Sequence, residues 1–282
     1  MISGVVGDML SKEKSCGSSL LKDSLTGVMS RSNSKKIERH DTIRVSGIGG
    51  WCPRMFALAR FHDIELTDTV KPPLSWIFSI GSAYHYQMQN ELLPKLGDIF
   101  QGWWLGLDGL FAGDKVKDKP GLERLWRSKP VCDYDLSYHE MEFMCDGITG
   151  HTDGVLVWPD KTEILELKTI SSYGFDSVNP MLGGTPKIEH IWQASLYAYF
   201  AGLEHFRLVY IRKGDGKWPS DIAEHECVLD KDVVDKLLTL GRECIRVIRM
   251  DEVTETDIPV KMCDSKTCTR AKRCGVKKLC FA

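Results

Sequence analysis

Apolar and polar residues alternate through TEILELK, putting Glu163, Leu165 and Leu167 on one side of a strand and Ile164, Glu166 and Lys168 on the other. The preceding DGVLVW reads as a second strand. Pro159 and Asp160, between Trp158 and Lys161, supply a tight reversal, which predicts a hairpin. Upstream, LSWIFSIGSAYHYQMQNELLPKLG predicts a helix of about five turns, with Ile77, Tyr84, Met88 and Leu92 along one stripe and an end near Pro94. Downstream, KIEHIWQASLYAYFAGL has Ile188, Ile191, Trp192, Leu196 and Tyr199 at helical spacing, with Gly202 at its end. FRLVYIRK predicts a strand. DKDVVDKLLTLGRECIRVIRM predicts a long helix capped by Asp230 that buries Val233, Val234, Leu237, Leu238, Cys244, Ile245 and Ile248. In GIGGWCPRMFALARFH the glycines make a turn, Pro53 suits a first helical position, and Cys52 falls at the helix start, where a thiol is easily ionised. Residues 98 to 130 read as strands and loops. The order of elements is that of an α/β chain with a mixed sheet.

The hairpin turn also sets a register. If Trp158 pairs with Lys161, every pair sums to 319 and Asp153 stands opposite Glu166, about 5 Å away at Cβ. Two carboxylates that close repel unless a cation lies between them, and hard divalent cations take such oxygen ligands. The same residues also suit a solvated edge strand followed by an ordinary Asp-Gly turn, so by themselves they leave both readings open.

Composition narrows the picture. The 282 residues, 43% hydrophobic, are enough for a sizeable core. The net charge of −2 hides a basic end: Lys261 to Ala282 holds seven Lys or Arg and one acid, Asp264. No secretory leader and no run of roughly 18 apolar residues is present, so the expectation is a soluble cytoplasmic chain, in a bacterial cell or a virus-infected one. Residues 1–40, rich in Ser, Lys and Gly, read as a flexible arm. Besides Cys16 and Cys52, the ten cysteines include two sets of four. Cys132, Cys145, Cys227 and Cys244 sit among apolar neighbours as inert core thiols. Cys263, Cys268, Cys274 and Cys280 crowd the tail, as metal ligands do in an intracellular protein.

Taken in order, these landmarks resemble the RecB-like branch of the PD-(D/E)xK nucleases, in particular its iron–sulfur members, which include AddB nuclease domains and CRISPR-associated RecB-like exonucleases. Asp153 and ELK match the family's Asp and Glu-x-Lys; His85 in GSAYHYQ matches the histidine of its first core helix; Gln193 and Tyr197 in QASLY match its Gln-x-x-x-Tyr helix. CPRMFAL and CGVKKLC match the two ends of its cluster signature, and the resemblance runs over residues 45 to 282. One departure stands out. Where the family has a Cys-x2-Cys pair before the last cysteine, the tail gaps here are four, five and five residues, with one cysteine in excess.

The resemblance implies a restriction-endonuclease-like core, a mixed central sheet flanked by helices over residues 41–260, with the cysteine tail 261–282 packed back on it. His85, Asp153, Glu166 and the Leu167 carbonyl would ligate Mg2+ or Mn2+. Lys168 would hold the attacking water, Gln193 the lysine and scissile phosphate, and Tyr197 would support Gln193. Cys52, Cys268, Cys274 and Cys280 would hold a 4Fe-4S cluster with Cys263 spare, zinc being the alternative in the tail. The implied activity is a DNA exonuclease acting on single strands or ends in replication, recombination or repair, leaving 5′-phosphates. The chain has no Gly-x4-Gly-Lys-Ser/Thr loop and so no ATP motor, and DNA would be presented by a helicase, annealing protein or single-strand binder. Oligomers are compatible with this reading and a membrane partner is not expected. Arg212 and Lys213 suit phosphate contacts or plain solvation, and Trp103 and Trp104 suit base stacking or core packing. A CRISPR-type nuclease trimming spacer precursors is the alternative enzyme. Outside enzymes, the alternative is a non-catalytic nucleic-acid-binding protein with a zinc tail.

Overall fold

The computed structural model describes residues 41–66, 72–105, 111–112, 137–214, 220–272 and 274–282; the arm at 1–40 and Cys132 lie outside them. Two compact units divide the chain, Met1–Lys36 with Thr67–Ser79, and Ile37–Leu66 with Ile80–Ala282. The second unit contains every described strand.

These strands are β1 (Ile43–Arg44), β2 (Phe100–Gln101), β3 (Trp103–Leu105), β4 (Phe111–Ala112), β5 (Ser137–His139), β6 (Met141–Cys145), β7 (Ile148–Thr152), β8 (Gly154–Val157), β9 (Thr162–Ser171), β10 (His205–Lys213) and β11 (Ile222–Val228). The helices are α1 (Pro53–Phe61), α2 (Pro72–Gln87), which belongs to this unit from Ile80 onward, α3 (Ser172–Phe175), α4 (Ile188–Phe200), α5 (Lys231–Arg249), α6 (Thr269–Lys272) and α7 (Lys277–Cys280). The central sheet runs β11-β10-β9-β8-β2. Only β9 and β10 are parallel, and α4 makes the crossover that parallel neighbours require. A second sheet, β1-β7-β6, is also mixed, so the chain is α/β with mixed sheets flanked by helices.

The β8–β9 hairpin has the register its turn predicts: Gly154 pairs with Leu165 and Val157 with Thr162, and Trp158 N–H donates to Lys161 O at 2.8 Å. The alternation in β9 then sorts side chains between two cores. Ile164 packs with Phe206, Leu208 and Tyr210 of β10, Ala194, Leu196 and Tyr197 of α4, and Val234, Leu237 and Leu238 of α5. Leu165 and Leu167 pack on the opposite face with Phe100, Leu156, Val209 and Ile211, covered by Tyr84, Met88 and Leu93. Glu163 is buried on that second face too. Arg207, Lys161 and the Trp158 indole N–H, at 2.6 Å, satisfy it, as a buried carboxylate requires.

Asp230 caps α5 by accepting from Asp232 and Val233 N–H, and the helix buries Val234, Leu237, Leu238, Gly241, Cys244, Ile245 and Val247. Its Val233 and Ile248 are only partly buried. Helix α4 departs further from its apolar spacing: Ile188 and Tyr199 are about half exposed, and a continuous run, Gln193 to Ala198, is buried instead. The chain end returns to α1, where Cys274, Val276 and Cys280 pack with Met55, Leu58 and Ala59.

Candidate active site

The ladder between β8 and β9 stops at Gly154 and Leu165, because the chain bends at Asp153 in passing from β7 to β8. Thr152 Oγ1 closes the end of the ladder by donating to Leu165 O at 3.1 Å. Beyond that point the β8-side edge of β9 is left open, and Asp153 fills it: its Oδ2 accepts Leu167 N–H at 2.6 Å. In a strand the N–H and C=O of one residue project to the same side, so the Leu167 carbonyl faces the carboxylate as well. The bend, and not continued strand pairing, is therefore what turns Asp153 into the site.

Side chains converge on this edge from both faces of the sheet. From α2 comes His85, whose Nδ1 lies 2.9 Å from Asp153 Oδ1. One turn later α2 widens into a π-helical turn, Met88–Leu92, a feature frequent at functional sites. Gln89 in that turn donates to Asp153 O at 3.1 Å, Asp153 Oδ1 at 3.3 Å and Glu140 Oε1 at 3.3 Å. Asn90 docks the same turn on β5 by accepting Tyr138 N–H at 2.8 Å, which brings Glu140 alongside. From the α4 face, Gln193 Nε2 donates to Glu166 Oε1 at 2.9 Å and contacts Tyr197 OH at 3.2 Å. Lys168 also donates to Glu166 Oε1. Gly150 makes room for Tyr197: a Cβ there would stand 2.4 Å from its ring.

The charges here are deeply buried. Glu166 is 2% exposed, and its Oε2 has no hydrogen-bond partner. Burial first, and the Asp153 charge second, push its carboxyl up to about 7 against the pull of Lys168. Burial acts the same way on Asp153, but the hydrogen bond and charge of His85, with Lys168 and Leu167 N–H, outweigh it and hold that carboxyl below its ordinary range. His85 and Lys168 are both raised, because the carboxylates around them outweigh the burial that disfavours their charged forms.

A divalent cation fits this pocket. His85, Glu140 and Asp153 offer ligand atoms all within 4.8 Å of one another, and the orphaned Glu166 oxygen has the hard-donor chemistry such a cation takes. The structure thus gathers Asp153, Glu166, Lys168, His85, Gln193, Tyr197 and the Leu167 backbone at one place. Sequence reasoning missed Gln89 and Glu140. Gln89 carried a signal, since it lies four residues after His85 on one helix face. Glu140 carried one too: the Asp146-Gly147 turn pairs β6 with β7 so that Met141 stands opposite Thr152, one step from Glu140 and Asp153.

Other candidates lie elsewhere. Arg212 is committed to Asp221 at 3.1 Å and to Ser220 O at 3.2 Å, with its guanidinium 4.3 Å from the Phe175 ring. Burial pushes the Lys213 amine down. Trp103 and Trp104 form β3, but their side chains lie outside what is described.

Cys52 does sit at the N-cap of α1, yet its thiol is not easily ionised: it is 6% exposed, and burial outweighs the backbone N–H groups that would lower it. Burial likewise pushes Cys244 up to about 12, in keeping with an inert core thiol, whereas Cys145 and Cys227 are only partly buried. In the tail, Cys268 accepts from Ala271 N–H at 3.3 Å, which lowers its pKa. Cys263 hydrogen-bonds Cys268 and is pushed up to about 11, with burial the largest cause.

No protein-family model and no curated protein matches the sequence. Among solved structures, the chain is similar to an alkaline exonuclease, LHK-Exo, from Laribacter hongkongensis, at 11% identity and a TM-score of 0.44 over 79% of this chain and 92% of that one. A second structure of LHK-Exo, in complex with dAMP, gives 12% and 0.43 over 74% and 89%. A protein named SSO0001 gives 16% and 0.38 over 83% and 89%. At this level of likeness, the chemistry of the chain has to follow from its own residues.

Proposed function

We propose that this chain is a divalent-metal-dependent nuclease of the PD-(D/E)xK kind. It hydrolyses phosphodiester bonds in DNA as an exonuclease on single strands or ends, in replication, recombination or repair, and leaves 5′-phosphates. The carrying observation is the buried Asp153–Glu166–Lys168 set with an unpartnered Glu166 oxygen. Isolated buried charge is costly, and a cation together with a phosphate is what such a set accommodates.

His85, Asp153, Glu166 and the Leu167 carbonyl would hold Mg2+ or Mn2+, the imidazole donor favouring manganese. A bound divalent cation supplies phosphate polarisation and a more acidic water. Lys168, fixed against Glu166 by its hydrogen bond, orients the attacking water from the α4 side. Gln193 holds Glu166 Oε1 from the same side and keeps the carboxylate aimed at the edge of β9. Tyr197 positions Gln193.

The tail is read as a staple. Its thiols form the soft donor set that an iron–sulfur cluster or zinc requires. Packing of Cys274 and Cys280 against α1, which begins next to Cys52, supports a cluster that joins the tail to Cys52; the choice of Cys52, Cys268, Cys274 and Cys280 as its 4Fe-4S ligands, with Cys263 spare, is the one the family resemblance implies. Residues 41–260 are then the nuclease domain, and 261–282 its staple. A helicase, annealing protein or single-strand binder would present the DNA.

The reading is tested with end-labelled single- and double-stranded DNA incubated with Mg2+, Mn2+ or chelator. Metal-dependent shortening to products bearing 5′-phosphates is expected, and intact DNA under every metal condition would contradict it.

A further inference from the structure

Helix α4 makes a second polar contact with the sheet, one turn before Gln193. Lys168 and Tyr210 are partners in the parallel pairing of β9 with β10, so their side chains share one face of the sheet, about 5 Å apart at the backbone. That face is the one α4 covers. Tyr210 is fully buried there, its ring standing at 87° to that of His225. Its hydroxyl accepts Lys187 N–H at 3.1 Å, at the N-cap of α4, and lies 3.0 Å from His190 Nδ1. Burial pushes the phenol up to about 12, so the hydroxyl keeps its proton. With Lys187 N–H already donating to the phenol oxygen, the phenol donates that proton to Nδ1, and the neutral imidazole carries its own on Nε2. Tyr210 thus fixes both the place and the tautomer of a half-buried histidine. Gln193 meets Glu166 on β9 and His190 meets Tyr210 on β10, and residues three apart on a helix lie about 5–6 Å apart at Cβ. That spacing is of the order of one nucleotide step.

We propose that His190 binds the phosphate next to the scissile one, donating from Nε2, and that Tyr210 is a positioning residue acting through it. The scissile phosphate belongs at the Asp153–Glu166 edge, and its neighbour reaches the imidazole one helical turn and one strand away. A hydrogen-bond donor is what a non-reacting phosphate takes, and such contacts set the register of a strand without reading its sequence. The site then grips a strand of at least two linkages. The competing reading is that Tyr210 and His190 only clamp the start of α4. The inference rests on the nuclease reading above, and different outcomes of one experiment decide the two.

The test measures kcat and KM of the full chain with Mn2+ for the first cut at the end of a short labelled single strand. The strand is used unmodified, or with a neutral methylphosphonate at the second linkage from its 5′ end or from its 3′ end. One of the two neutral linkages is expected to cost the wild type about tenfold in kcat/KM, the size of a hydrogen bond to a charged group. His190→Ala should lose a similar factor on the unmodified strand, mostly through KM, and nothing further on that neutral one, because the interaction is already gone. Tyr210→Phe, which keeps the ring, should weaken the same coupling, and His190→Gln, which keeps a donor, should restore part of it. Equal factors in wild type and His190→Ala at both neutral linkages overturn the inference and leave a clamp on α4. A wild type indifferent to both neutral linkages overturns it too, which decides the matter even should a variant fail to fold. A wild type that cuts no strand at all overturns the nuclease reading, and this inference with it.

Discussion

Glu166 is a buried carboxyl raised to about 7, chiefly by that burial, between an acid and a lysine. Its folded pKa exceeds its unfolded one of about 4.3, so the stability it contributes is fully present below pH 4 and lost as pH rises through 7. His85, also raised, acts in the same direction. Metal-free protein should therefore melt at progressively lower temperature from pH 5 to pH 8, by calorimetry, and Glu166→Gln should flatten that slope. A cation binds the ionised carboxylate and the neutral imidazole, so Mn2+ affinity should climb as pH rises through 7, with proton release measurable in weakly buffered solution. A flat affinity between pH 5.5 and 7.5 would place the cation elsewhere. Lys168→Ala should cost about 10²–10⁴-fold in cleavage rate, the range for a positioned proton-handling group, and leave DNA affinity measurable by fluorescence anisotropy. His85→Ala should lose activity severely and regain part of it at high Mn2+. Wild-type rates at low metal would make that histidine merely structural.

At the scale of elements, the site depends on how α4 and the β7–β8 bend approach each other. Gly150→Ala puts a methyl 2.4 Å from the Tyr197 ring, and the ring, held at 3.2 Å from Gln193, must shift. Misplacement of that size costs up to ~10²-fold in rate. The expected kinetics are a fall in kcat with metal affinity little changed, and unaltered kcat would show that Tyr197 is packing alone. The hairpin was legible because its turn and alternation both act locally, and helix α5 because its apolar stripe and Asp230 cap agree. The face of α4 was less so. Its apolar spacing singled out Ile188 and Tyr199, whereas the sheet and α5 cover only the middle of the helix, where Gln193 and Tyr197 lie. Glu140 was missed although a turn pointed to it: Asp146 and Gly147 close β6 onto β7 with Met141 opposite Thr152, which leads on to Glu140 and Asp153, and Gln89 of the π turn then bridges the two.

On the scale of the whole molecule, the chain end packs on α1 through Cys274, Val276 and Cys280. A cluster joining that end to Cys52 would convert metal-binding energy into folding energy. Anaerobically purified protein should then be brown, with a broad absorbance near roughly 400 nm. Cys52→Ala, Cys268→Ala, Cys274→Ala and Cys280→Ala should each lose the colour and much solubility, while Cys263→Ala keeps both. A brown Cys52→Ala beside a bleached Cys263→Ala would mean that the tail binds iron by itself. Zinc without iron in every preparation would replace the cluster and leave the nuclease site untouched. The central claim, that the buried acids at the bend make a metal-dependent nuclease, is tested most directly by assaying wild type and Glu166→Ala side by side for binding and cleavage of one end-labelled DNA with Mn2+. The account predicts that both bind and only the wild type cleaves; undiminished cleavage by Glu166→Ala would contradict it.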